Sequence, residues 1–214
     1  MEILQVVSPN YREGRKGRKI IAIVNHITAG QFPGCLSWMC NPQAQASAHY
    51  LITKQGAIYQ LVQDQDTAWH AGAVNKPNWS LYDGMNPNYY TLGIEHEGFP
   101  DKPLTEAQYQ ATLWLHRMLI AKWGIPIDTN HIIGHYRIDS VNRPNCPGPN
   151  FPWDRLFNDL KGVVEVPEWM QKIMDRSVAA GLIESGKHNP NDAPAKWFIL
   201  AIALKVLQIM GRDV

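Results

Sequence analysis

The chain has 214 residues, of which 45% are hydrophobic and 18% charged. That is enough to bury a sizeable core in about one to two domains, and it excludes a disordered or fibrous chain. Twenty Lys and Arg stand against 19 Asp and Glu, a formal net charge of +1, which argues against a dedicated nucleic-acid binder.

The first nineteen residues lack a basic segment followed by an apolar core and a small-residue cleavage site. The longest apolar run, 197–204, covers eight residues, well short of the roughly 20 that cross a bilayer. The sequence therefore predicts no transmembrane segment and synthesis in the cytoplasm without a secretory signal.

Residues 12–19 carry five basic side chains and one acid, the pattern of a solvated loop. Residues 19–26, KIIAIVNH, form a β-branched apolar run, a buried strand that delivers Asn25 and His26 to its end. The chain has three cysteines, too odd a number for a disulfide framework, and Cys35 and Cys40 read either as a bridge or as two buried thiols. Residues 48–63 hold two apolar or alternating runs around Lys54-Gln55-Gly56, which predicts a hairpin. Residues 75–90, with Trp79, Tyr82, Tyr89 and Tyr90, read either as a packed loop or as a rim that stacks on sugar or peptide.

Residues 92–97 are a further strand, on which Glu95 and Glu97 face one side and His96 the other. Thr105 with Gln108 fits a capping box, and Gly124 with Pro126 marks the stop of the helix they open. Its predicted apolar stripe is Ala107, Ala111, Trp114, Leu115, Met118 and Leu119. Residues 131–135, HIIGH, predict a short strand ending in a turn, and residues 151–160 a closing helix. Strands alternating with helical stretches indicate an α/β sheet covered by helices.

From residue 165 the pattern changes to two helices, from Pro167 to Ala180 and from Pro194 to about Met210, around a polar loop. The expected organisation is a first domain over 1–162 and a small all-α module over 163–214. So small a unit needs a surface to dock on, either a wall polymer or a twin copy in a homodimer.

His26, His135 and Cys146 each fall at a strand end or in the loop after one, where side chains converge on a sheet edge. Two imidazoles and a thiolate suit zinc, which binds three protein ligands and leaves a fourth position open in catalytic sites. Glu95 ends a strand beside them and suits a general base. A zinc peptidase built on the His131–His135 spacing is a weaker reading, because the glutamate after the first histidine is missing.

The segments IVNHITAG, SAHYLITKQGAIYQLV, TAWHAG, TLGIEHEG, IIGHYRID and NCPGPNFPW, in that order over residues 18–160, resemble the zinc-dependent N-acetylmuramoyl-L-alanine amidases, the family of phage endolysins, bacterial wall amidases and peptidoglycan recognition proteins. The resemblance implies a mixed central sheet flanked by helices, Zn2+ on His26, His135 and Cys146, and Glu95 as general base. It also implies groove-lining, substrate-binding roles for His49, Trp69 and His70.

The implied activity is hydrolysis of the amide between N-acetylmuramic acid and L-alanine of the stem peptide by a zinc-activated water. A phage or prophage endolysin that reaches peptidoglycan after release fits this reading, and the alternative is a peptidoglycan-binding protein on the same fold that does not cleave. Relatives often carry lysine two residues before the last ligand. Here that position is Pro144, and Arg143 one step earlier is the candidate partner of the oxyanion.

Overall fold

A computed structural model describes residues 1–162. The expected tail helices, the domain boundary and the docking role of residues 163–214 lie outside the described residues.

The order of elements begins with β1 (Ile3–Gln5), β2 (Tyr11–Arg12) and β3 (Ala22–Ile27), and continues through α1 (Gly34–Met39) to the hairpin β4 (Tyr50–Ile52) and β5 (Ile58–Gln60). It then runs through β6 (Thr67–Ala68), β7 (Thr91–His96), α2 (Glu106–Trp123), β8 (Ile132–Gly134) and α3 (Trp153–Leu160). Six strands make one sheet in the order β1-β5-β4-β7-β3-β8, and β2 pairs with β6 in a separate ribbon. Only β4 and β5 run antiparallel within the large sheet; its other neighbours are parallel. The predicted mixed α/β architecture is thus the one observed.

Side-chain alternation along the strands separates the two faces. Ile23, Leu92, Ile94, Tyr50 and Ile52 point to one face, where α2 lays down Ala111, Leu115 and Leu119. Ala22, Val24 and Ile133 point to the other, against Trp79 and Tyr90. His26 and Glu95 share the parity of that second face, away from α2, while His96 shares the parity of the first. Fully buried His96 accordingly meets Thr112 of α2, its Nε2 lying 3.1 Å from the hydroxyl.

Helix α2 has the predicted ends. The Thr105 hydroxyl accepts from Gln108 N–H, and Gly124 closes the helix at φ 65°. Its buried surface is wider than the predicted stripe. Ala107 is exposed, whereas Tyr109 and Leu113 pack on Leu156 and Leu160 of α3, so two sides of the helix are covered.

His116 lies on α2 with no exposed surface, and among the described residues its Nε2 has no partner. Burial pulls its pKa from 6.5 to about 4. The native fold holds this ring neutral, while the unfolded chain takes up a proton once the pH falls below 6.5. The stability so contributed is present above that pH and is lost between pH 6.5 and 4. His116→Leu is expected to remove up to about 3 kcal/mol of that acid-side loss. Denaturant unfolding of both chains at pH 7 and pH 4.5 checks this, and equal losses in the two would refute it.

One expectation changes, and two open alternatives are resolved. Residues 12–19 are not wholly solvated, because Arg15 is buried. Its Nε donates to Asp64 O at 2.6 Å and its Nη1 to Asn88 O and Thr91 O at 3.2 and 3.0 Å, and the main-chain acceptors compensate the desolvated charge. Cys35 and Cys40 are unpaired thiols, as is Cys146. In the 75–90 segment, Trp79 and Tyr90 are core, stacked with their ring centroids 5.6 Å apart; Tyr89 instead lines a small surface cleft beside Trp69. No helix among the described residues is long and apolar enough to cross a membrane.

Candidate metal centre and active site

Three parallel strands end close together and present their carboxyl ends to one cleft, the usual place for a site in an open α/β sheet. The register sets His26 of β3 directly beside Glu95 of β7, and Asn25 beside Gly134 of β8, so that His135 follows immediately at the start of the next turn. Gly134 is required there, since a Cβ would meet Tyr136 Cε1 at 2.5 Å and Pro147 Cδ at 2.7 Å. Asp139 shapes the loop that follows. Its carboxylate accepts from the backbone N–H groups of Val141 and Asn142 at 3.2 and 2.8 Å, and its carbonyl accepts from Arg143 N–H at 3.2 Å. That loop carries Arg143 and returns Cys146 to the strand ends.

His26 Nδ1 lies 3.1 Å from His135 Nδ1 and 3.8 Å from Cys146 Sγ, and the three ligand atoms all fall within 4.8 Å of one another. Tetrahedral zinc, with Zn–N of about 2.0–2.1 Å and Zn–S of about 2.3 Å, needs ligand atoms roughly 3.4–3.6 Å apart. The spacing fits. The chemistry of the donor set fits as well. Burial, followed by neighbouring rings and the charge of Arg143, holds His26 well below its ordinary pKa, and burial with Arg143 brings His135 to about 4. Both rings are therefore neutral and have lone pairs to offer at neutral pH. Burial and the nearby Glu95 carboxyl push the Cys146 thiol up to about 12, which disfavours a free thiolate nucleophile and suits a thiolate compensated by a cation.

Glu95 lines the same cavity, and its Oε2 has no partner among the described residues. Burial raises its carboxyl to about 8 against the opposing pull of Arg143. A carboxyl poised there, with a buried oxygen that no described residue engages, has the properties of a proton acceptor that works near neutral pH.

The cavity encloses about 900 Å³, with Glu95, His135 and Cys146 on its floor and Trp38, Trp69 and Arg143 around them. Trp38 and Trp69 are 58% and 37% exposed, large apolar faces left open to solvent at its rim. Sequence reasoning missed Trp38; its signal was the short α1 helix, in which Cys35 and Met39 are buried and Trp38 is left facing out.

The structure brings His26, Glu95, His135, Arg143, Cys146, Trp69 and His70 to this cavity. It does not bring His49. That ring is fully buried, with Nδ1 accepting from Gly93 N–H at 3.0 Å and Nε2 2.7 Å from Arg15 Nη2. His49, the residue before β4, is held by these contacts to Gly93 and Arg15 and does not line the cavity. His131 is also remote, paired with Asp128 at 2.8 Å, which removes the peptidase reading.

The family model described as N-acetylmuramoyl-L-alanine amidase matches residues 16–149. The chain is 32% identical over 160 residues to N-acetylmuramoyl-L-alanine amidase A of Achromobacter lyticus, covering 66% of this chain and 83% of that protein. It is 36% identical over 120 residues to 1,6-anhydro-N-acetylmuramyl-L-alanine amidase AmpD of Haemophilus influenzae, covering 56% of this chain and 61% of that one. Among solved structures, the amidase AmiD of E. coli in complex with anhydro-N-acetylmuramic acid-L-Ala-D-gamma-Glu-L-Lys aligns at a TM-score of 0.56 with 25% identity, covering 91% of each chain. A selenomethionine AmpD crystal structure aligns at a TM-score of 0.58 with 29% identity, covering 74% of this chain and 94% of that one.

Proposed function

Because this chain belongs to the N-acetylmuramoyl-L-alanine amidase family, we propose that it hydrolyses the amide joining the lactyl group of N-acetylmuramic acid to L-alanine, and that bacterial peptidoglycan is its substrate. The observation that carries the reading is the convergence of His26, His135 and Cys146 on one point with Glu95 beside them in strand register.

His26, His135 and Cys146 would hold the zinc ion. When bound, zinc supplies a Lewis acid that polarises a carbonyl and acidifies water. The remaining chemistry belongs to the chain. Glu95 Oε2, which no described residue engages, takes a proton from the attacking water and returns it to the departing amide nitrogen, so that the amine leaves neutral. Arg143, on the cavity wall, places a positive charge where the carbonyl oxygen gains negative charge. Trp38 and Trp69 offer ring faces to the apolar faces of sugar or peptide.

The finer reading is that polymeric wall is cut, as by a phage or prophage lytic enzyme made in the cytoplasm and released to its target. The cleft with its two exposed tryptophans supports a long substrate. The rival reading, a binding protein without turnover, is disfavoured by the presence of all three ligands together with Glu95.

Mass spectrometry of purified walls incubated with the protein tests the proposal. Released stem peptides with a free L-alanine amino terminus are expected, with none after chelation. Walls that stay uncut by zinc-loaded protein would leave the binding reading in its place.

A further inference from the structure

The side of the His26 ring that faces away from the ligand cluster has a partner of its own. His26 Nε2 lies 3.0 Å from His70 Nδ1, with the two rings edge-on at 88°. His70 Nε2 lies 3.3 Å from Thr91 Oγ1, and the Thr91 hydroxyl donates to Pro87 O at 2.8 Å. We propose that His70 is a positioning residue for His26, fixing by this chain of hydrogen bonds the tautomer in which His26 Nδ1 faces the metal site. The inference rests on the metal centre proposed above.

The polarity of the chain is set at its far end. A carbonyl oxygen only accepts, so the Thr91 hydroxyl hydrogen points to Pro87, and Thr91 Oγ1 is left to accept from His70 Nε2–H. A neutral imidazole carries a single N–H, so His70 Nδ1 is an acceptor and takes the hydrogen of His26 Nε2. His26 Nδ1 is then a bare lone pair, and it is the nitrogen 3.1 Å from His135 Nδ1 and 3.8 Å from Cys146 Sγ. An outer partner of this kind orients a ligating ring and raises its basicity.

The surroundings are built to hold His70 in place. Its backbone N–H and that of Ala71 both donate to Asn88 Oδ1, at 3.2 and 2.7 Å. Its ring lies so close over β7 that a Cβ at position 93 would meet Cγ at 2.4 Å and Nδ1 at 2.7 Å, which only glycine avoids. Among the described residues, His135 Nε2 has no such partner, so the protein pre-sets one of its two imidazole ligands by this means. The family resemblance implied a substrate-binding role for His70. It does border the cavity, yet both of its ring nitrogens are engaged inward.

The test compares the full-length wild type with His70→Asn and His70→Leu. Asparagine keeps an acceptor oxygen at the position of Nδ1, and leucine keeps bulk without one. Zinc affinity is read by competition with a chromophoric chelator, and the His26 tautomer by nitrogen-15 NMR of the metal-free chain. The expected result is Nε2–H on His26 in the wild type and in His70→Asn, with zinc affinity about 10–100-fold weaker in His70→Leu and largely restored in His70→Asn. Thermal melts of the metal-free variants separate this from a folding defect. Equal zinc affinity in wild type and His70→Leu, or Nδ1–H on His26 in the wild type, overturns this inference alone. Failure of the wild type to bind zinc overturns the metal centre together with it.

Discussion

Glu95→Gln is expected to lower kcat for stem-peptide release by about 10²- to 10⁴-fold, the range for removing a general base, with zinc still bound stoichiometrically and KM little changed. The substitution keeps the shape of the side chain and removes its ability to take a proton. The argument rests on position. Glu95 is the register partner of His26, lies on the cavity floor, and has an oxygen that no described residue engages. Burial holds its carboxyl near pH 8 rather than near 4, which places proton uptake and return in the working range. It has no part in the ligand triad, so metal content should not follow activity. Steady-state kinetics beside metal analysis of the same preparation reads both, and a variant that kept wild-type turnover would remove Glu95 from the mechanism.

Loss of a ligand should be more severe. Cys146→Ala and His26→Ala are each expected to reduce amidase activity below 1% of wild type and to lose zinc on dialysis, and chelation of the wild type should do the same. Two remaining donors do not make a closed zinc site. The ligands also tie together distant parts of the chain, since His26 is 109 residues from His135 and 120 from Cys146. Bound metal should therefore stabilise the fold by about 4 kcal/mol when free zinc stands at a thousand times its Kd. Added zinc should raise Tm in the wild type and not in either variant. Cys35→Ser and Cys40→Ser serve as controls, because both thiols are unpaired and lie outside the triad. Retention of zinc by Cys146→Ala would refute the assignment.

Much of the scaffold was legible in the sequence because it is encoded locally. A β-branched run marks β3, Lys54-Gln55-Gly56 marks the hairpin, and Thr105 and Gly124 mark the ends of α2. Strand β1 escaped notice, since its three residues are mostly exposed and carry no alternation. The ligand triad was legible as residue types at strand ends, while its closure depends on the pairing of β3 with β8, and the place of Glu95 beside it on the pairing of β3 with β7, nonlocal facts that no spacing along the chain contains.

Two errors share that cause. Arg15 sits in a basic run that reads as solvent-facing, and it is buried because four distant carbonyls, those of Asp64, Asn88, Tyr89 and Thr91, surround its guanidinium. His49 sits among the motifs of the resemblance, yet its ring is engaged by Gly93 and Arg15, residues far from it in sequence. The inward engagement of His70 was equally hidden, and its one local trace is Gly93, a glycine within a strand where another backbone or side chain must come close.

The metal centre itself is open to direct observation. Zinc K-edge X-ray absorption of the purified full-length protein should resolve two nitrogen scatterers at about 2.0–2.1 Å and one sulfur at about 2.3 Å, with the sulfur shell absent in Cys146→Ala. Zinc bound to the wild type without a sulfur neighbour, or no zinc bound at all, would contradict the site described for His26, His135 and Cys146.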